Sequence, residues 1–153
     1  MQLIDFLPLE NIRIKVDAIS KKRALETISE IASSYLENPK LTFPILEAIL
    51  SRERLGSTGI GRGVGIPHCR LDEIKEPLAV LITLEHGIDY QGIDNQSVDI
   101  LMALLIPRET NDTHLQLLAL IAAQFGKQNI LDGIRGAQNE QSLHNLIENL
   151  SDD

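Results

Sequence analysis

Val98-Asp-Ile-Leu-Met-Ala-Leu-Leu-Ile106 breaks its apolar run only at Asp99, and the earlier Leu78-Ala-Val-Leu-Ile-Thr-Leu84 breaks its run only at Thr83. Their length and apolar continuity suit central strands buried on both faces. Such strands need helical cover above and below, and the flanking sequence supplies it. Upstream, Ile12, Ile14 and Val16 alternate with Arg13, Lys15 and Asp17, the mark of a short half-buried strand over 11–16. Ser20 then caps a helix with apolar positions Ala24, Leu25, Ile28, Ile31, Ala32, Tyr35 and Leu36, whose steps of three and four form one face. Asn38-Pro39 ends it. Thr42 opens a second helix that tolerates Pro44 in its first turn and buries Ile45, Leu46, Ile49 and Leu50. Arg52 and Arg54 fall in its last turn, where cations suit the helix dipole, and Gly56 stops it.

Downstream of the apolar pair, the spacing predicts helices over about 113–125, 128–135 and 140–150. Asn111, Asp112 and Thr113 are candidate caps for the first, and the last turns Leu143, Leu146, Ile147 and Leu150 inward. The segment from Ile88 to Asn95 reads as turns with room for a short strand. Helices before and after buried strands imply a sheet with helices on both faces. The second helix leads into a glycine-rich stretch without a regular βαβ alternation, so a mixed sheet is expected.

The chain has 153 residues, which fits one domain over 1–153. Aromatics are 3% and Trp is absent, so Leu, Ile, Val and Ala must build the core. Acidic residues outnumber basic ones 22 to 14, giving a formal net charge of −8. That balance argues against a nucleic-acid partner and against docking on an anionic membrane. The one basic cluster, Lys21-Lys22-Arg23, reads as a solvated helix turn. The single cysteine, Cys69, makes an intramolecular disulfide impossible and favours a reducing compartment. Met1 to Leu9 lacks the positive start of a signal peptide, and no apolar run approaches the ~20 residues of a membrane span. The expected location is the cytoplasm.

The chemistry concentrates in Gly56-Ser-Thr-Gly-Ile-Gly-Arg-Gly-Val-Gly-Ile-Pro-His68. Gly59, Gly61, Gly63 and Gly65 alternate with larger residues, so an extended segment would show bare backbone on one side. Bare backbone lets an anion approach N–H groups, although the same pattern serves in turns and bulges. The P-loop pattern is absent, and the Gly-x-Gly-x-x-Gly frame ends on Val64 or Ile66. No Cys/His cluster has zinc-ligand spacing. Among the histidines, His144 reads as surface and His86 as a turn residue at a strand end. His68 follows stiff Pro67 and the glycines, and His114 falls in the first turn of a helix, where N–H groups attract anions. A satisfied structural histidine is the equal alternative at both places.

Four segments carry a resemblance. Ser57-Thr-Gly-Ile-Gly-Arg-Gly-Val-Gly-Ile-Pro-His68 resembles the active-site segment of phosphotransferase-system enzyme IIA of the fructose/mannitol class, and most closely its stand-alone nitrogen-regulatory branch. Asp94–Pro107 and Thr113–Ala122 resemble it too, as does Leu50–Gly56, so the likeness runs in order through nearly the whole chain. It implies a three-layer α/β/α sandwich with a mixed sheet of four to five strands. It implies His68 as the phosphorylated nucleophile, His114 as the second histidine supporting the phosphoryl group, and Arg52 as its charge-stabilising arginine. Backbone N–H groups at Gly61, Gly63 and Gly65 would complete the phosphate contacts. The donor would be a small HPr-type phosphocarrier protein, and no metal, nucleotide or other cofactor is called for, because the donor bond is already activated. Output would be regulation of a partner protein. A sugar-specific enzyme IIA passing phosphate to a IIB domain is the alternative within the class, and a non-catalytic binding module the alternative outside it. A metal-dependent hydrolase ranks last for want of ligand spacing. The regulated partner and any homo-oligomer are left open. Two departures from the family pattern stand out. Cys69 follows the histidine where glycine is expected, and Arg62 replaces a more usual asparagine. The thiol would crowd the backbone or add an oxidation-sensitive group, and Arg62 would add charge near the phosphoryl group or point to solvent.

Overall fold

Residues 2–109 and 112–150 are described by a computed structural model, residues 113 and 114 by their backbone alone. Two short 3-10 turns, Leu3–Phe6 and Leu9–Asn11, lead into strand β1 (Ile12–Val16). Helix α1 (Lys21–Tyr35) starts where expected, with the Ser20 hydroxyl accepting the Arg23 N–H at 3.2 Å. A 3-10 turn over Pro39–Leu41 separates it from α2 (Thr42–Arg54). Thr42 is the first helical residue and not the cap; its hydroxyl meets that of Ser33 in α1. Strands β2 (Gly59–Gly61), β3 (Val64–Gly65), β4 (His68–Leu71), β5 (Leu78–Ile88) and β6 (Val98–Pro107) follow. Helices α3 (Asp112–Gln124), α4 (Gln128–Gly136) and α5 (Glu140–Glu148) complete the order. Asp112 opens α3 as a helical residue, while Asn111 and the Thr113 side chain, named above as candidate caps, lie outside the described residues.

β5 and β6 are the centre of the sheet, antiparallel from Leu78 opposite Leu105 to Thr83 opposite Ile100. β1 lies parallel on the outer side of β5. The far side of β6 is shared along its length. β3 runs parallel to Ile100 and Leu101, and β4 runs parallel to Leu104–Pro107. β2 closes that edge as the antiparallel partner of β3. The sheet is therefore mixed, and it has six strands where four to five were expected. The extra strands come from the glycine-rich stretch. Pieces of two to four residues are too short for a period-2 pattern, and glycine has no side chain with which to show one. Between β5 and β6 there are turns and no strand.

The alternation along the central strands sorts side chains into two cores. Val80, Ile82, Leu101, Ala103 and Leu105 meet Ala24, Leu25, Ile28, Ile45 and Ile49 of α1 and α2. Ala79, Leu81, Ile100, Met102 and Leu104 meet Leu117, Ile121, Phe125, Leu131, Leu143 and Ile147 of α3, α4 and α5. Helices thus cover both faces, giving three layers. β4 is left as an edge strand between the end of α2 and the start of α3.

Candidate active site

The site begins with the pairing of β4. Leu104 donates its N–H to the Pro67 carbonyl at 2.9 Å, and His68 to Leu71 then track β6 residue for residue. Alternation along β4 sends Cys69 and Leu71 into the core under α1 and α2. His68 and Arg70 take the opposite side, His68 half-buried and Arg70 exposed. The result is an imidazole held on sheet backbone at an open edge.

The ring is fixed further by its own strand. Nδ1 of His68 lies 2.9 Å from the carbonyl oxygen of Ile66. A carbonyl can only accept, so Nδ1 carries the proton and Nε2 of the neutral ring keeps the lone pair. Burial lowers the pKa of His68 below its ordinary 6.5, and the positive charge of Arg52 lowers it further. The Ile66 carbonyl and the Glu53 carboxylate act the other way without overturning that direction.

A cleft of about 640 Å³ opens beside this ring, lined by Arg52 and Leu55 from the end of α2 and by Leu115 and Leu118 from the first turns of α3. Arg70 and Arg108 also face it. Arg52 is half-buried in the last turn of α2, and its Nη1 donates to the Gly56 carbonyl at 2.9 Å. That bond satisfies a carbonyl beyond the helix end and holds the guanidinium at the mouth. His114 falls in the first turn of α3, on the helix that borders the cleft; its side chain lies outside the described residues.

Gly61, Gly63 and Gly65, expected to offer N–H groups to phosphate, have a structural part in the fold. None of the three lines the cleft. They build the β2–β3 hairpin, whose turn at Arg62 and Gly63 has positive φ, 58° and 81°. Arg135 of α4 pins this turn by donating to the Arg62 carbonyl at 2.7 Å while pairing with Asp99 at 2.8 Å. Gly65 is required by close approach, since a Cβ there would stand 2.8 Å from Leu101 and 2.9 Å from Tyr90. Arg62 is exposed at the hairpin tip and does not line the cleft. Cys69 is buried, and burial pushes its thiol up to about 12. The oxidation-sensitive thiol considered above is thereby countered, because the reactive thiolate is suppressed.

Sequence reasoning missed a buried polar network behind the site. The Glu53 carboxylate, 5% exposed, accepts from the Lys21 ammonium at 2.8 Å and from the Thr58 N–H at 3.2 Å. The Thr58 hydroxyl also donates to Glu53 and lies 3.1 Å from the Tyr90 hydroxyl. Lys21 sits 4.2 Å over the Tyr90 ring, and the Ser57 hydroxyl donates to the Tyr90 carbonyl at 2.9 Å. Lys21 is therefore a structural cation and not part of a solvated turn. Burial pushes the Tyr90 phenol up, which keeps it a neutral hydroxyl. The network ties α1, α2 and the turn after β5 to the segment entering the hairpin. Its available signal was Glu53 next to Arg52, and nothing local marked its partners. His144, read as surface, is half-buried, with Nδ1 enclosed and unpartnered. His86 is exposed within β5 and lies off the cleft.

Comparison with known proteins places this geometry in context. The family profile described as phosphoenolpyruvate-dependent sugar phosphotransferase system, EIIA 2, matches residues 5–150. A nitrogen regulatory protein of Escherichia coli (strain K12) is 43% identical over 148 residues, covering 96% of this chain and 90% of the relative. A fructose-specific EIIA component of Haloferax volcanii is 25% identical over 142 residues, covering 92% of this chain and 90% of the relative. The crystal structure of nitrogen regulatory protein IIA-Ntr from Neisseria meningitidis superposes with a TM-score of 0.88 at 26% identity, covering 95% of this chain and 98% of that one.

Proposed function

From the chain's membership of the EIIA type 2 family of the phosphotransferase system, we propose that His68 accepts a phosphoryl group on Nε2 from a phosphohistidine carrier of the HPr type. The observation that carries this is the bond from Nδ1 to the Ile66 carbonyl, beside a cleft bordered by Arg52. It presents the lone pair at Nε2. With its pKa lowered, the ring is neutral and nucleophilic at pH 7.

In the proposed step the Nε2 lone pair forms the new N–P bond as the donor's N–P bond breaks. The electron pair of the broken bond stays on the donor imidazole. The ring of His68 gains positive character, which the Ile66 carbonyl stabilises through the retained Nδ1–H. A loose in-line transition state leaves the protein to position the groups and offset charge. Arg52 offsets charge on the transferring oxygens, and His114, on the first turn of α3, supports them from the other wall. The added charge of about −1.5 to −2, by analogy with other phosphorylated side chains, changes how the cleft meets partners.

The output we propose is regulation of a partner protein in the cytoplasm by phosphorylation state. It is supported by the higher identity to a relative named nitrogen regulatory protein than to one named fructose-specific. Incubation with radiolabelled phosphocarrier followed by peptide mapping tests the acceptor. Label on the His68 peptide that is lost in His68→Ala is expected, and undiminished label in that variant would remove the proposal. Heteronuclear NMR of the product should place phosphorus on Nε2; attachment at Nδ1 would refute the tautomer argument.

A further inference from the structure

The charge of the cleft runs against the charge of the molecule. Apart from His68 and Cys69, its ionisable lining residues among those described are Arg52, Arg70 and Arg108. Carboxylates are absent from that lining, although acids exceed bases 22 to 14 in the chain. Arg52 is accounted for by the phosphoryl group. The other two stand at the mouth. Arg70 lies two residues beyond His68 on the same side of β4 and is exposed. Arg108 follows the end of β6, where its N–H donates to the Leu71 carbonyl at 2.9 Å. Its Nε donates to the Asp72 carboxylate at 2.7 Å, which fixes its direction and offsets part of its charge. Such a solvated pair is weak and yields readily to a competing carboxylate.

The same mouth exposes apolar surface. Leu55 is 84% exposed and Leu115 is 56% exposed, on opposite walls. Large apolar side chains beside a charged rim form the usual plan of a protein-docking face. Rim charges chiefly select partners and speed encounter.

We propose that Arg70 and Arg108 are specificity-determining residues, selecting a phosphocarrier whose face around its phosphohistidine bears carboxylates and an apolar side chain that lodges between Leu55 and Leu115. This rests on the reading of His68 as acceptor. Because every such carrier bears the same phosphoryl group, preference among carriers must come from the rim.

The test uses the full chain and two phosphorylated HPr-type carriers, one with an acidic face and one with a basic face. The readout is the ratio of their transfer rates at low and high salt. For the wild type the acidic carrier should be faster by roughly 10-fold at low salt, the low end of electrostatic steering. The advantage should shrink as salt screens the rim. In the double variant Arg70→Glu, Arg108→Glu the order should invert, and in Arg70→Gln, Arg108→Gln the ratio should approach one. Damage to folding or chemistry slows both carriers and leaves the ratio unchanged, so a ratio unaltered by charge reversal overturns the proposal. Equal wild-type rates for the two carriers do the same. Phosphoramidate, a small donor with no docking face, separates the two readings. Wild type that takes label from neither carriers nor phosphoramidate sinks the acceptor reading as well; label with an indifferent ratio sinks only the selectivity.

Discussion

At the scale of single residues, His68 shows how position sets protonation. Burial and Arg52 both favour its neutral form. Phosphoryl acceptance should therefore hold level below pH 6.5 before falling, because the lone pair is lost only on protonation at the lowered pKa. Replacing Arg52 with Gln removes one of the two lowering influences, so the acid limb of the pH–rate profile should move to higher pH. A limb that stays put or moves to lower pH in Arg52→Gln would contradict the assigned electrostatics. The same shift links to stability. The unfolded chain, with its ordinary histidine pKa, binds the proton more readily than the folded one. The contribution of His68 is thus full above about pH 6.5 and lost as pH falls through the folded value. Glu53 offers the complementary case. Glu53→Ala would leave the Lys21 ammonium, 18% exposed, without its carboxylate and the Thr58 N–H without its acceptor. Breaking such a pair should cost about 3 kcal/mol, the low end for buried pairs because Lys21 keeps some solvent. Denaturant midpoints of Glu53→Ala and the milder Glu53→Gln check this. Of these residues, His68 and Arg52 were singled out in the sequence through the family pattern, and the structure brings both to one cleft. Glu53, Lys21, Thr58 and Tyr90 were not, because their association depends on four separate segments meeting in space.

At the scale of elements, the β2–β3 hairpin is the piece least visible in the sequence and most demanding of it. Its tip is held by Arg135 and its floor by the absence of a side chain at Gly65. Gly65→Ala should force Leu101 or the Tyr90 ring aside and destabilise by about 1–3 kcal/mol, as overpacking does. Since Tyr90 also touches Thr58, the change should slow phosphoryl acceptance along with lowering stability. Thermal melts and transfer rates measured on the same sample test this, and a variant as stable as wild type would show that the floor has slack. The helices and the two long strands were readable because their periodic signal extends over many residues. The sandwich, its mixed sheet and the covering of both faces followed from that signal together with the family resemblance. The strand His68–Leu71 was hidden, since four residues beside glycines give no alternation. The glycines are ambiguous for the same reason: a residue without a side chain reports that backbone must be close to something, without saying whether to an anion or, as at Gly65, to Tyr90.

For the molecule as a whole, one sheet divides the described apolar interior into two cores, one on each face. Ile28 of α1 lies wholly buried in one, and Ile121 of α3 wholly buried in the other. Each has the sheet between it and its counterpart, so truncation of either leaves a cavity the other side cannot fill. Ile28→Ala and Ile121→Ala should each cost about 2–5 kcal/mol. If the two layers of helices unfold with the sheet as one unit, each variant shifts a single transition seen alike by circular dichroism and by Tyr fluorescence. Their costs should then add to within about 0.5 kcal/mol in the double variant, as expected for distant sites without shared neighbours. The arrangement matters for the site because the cleft takes one wall from each layer, Leu55 just past the end of α2 and Leu115 from α3. A sheet that transmitted only one layer's loss would allow α3 to detach while β4 stayed folded, and the cleft would open without global unfolding. Two separated transitions in Ile121→Ala, with the first abolishing phosphoryl acceptance, would reveal that behaviour and refute the single unit; one shared transition would bind the cleft's integrity to the stability of the whole chain.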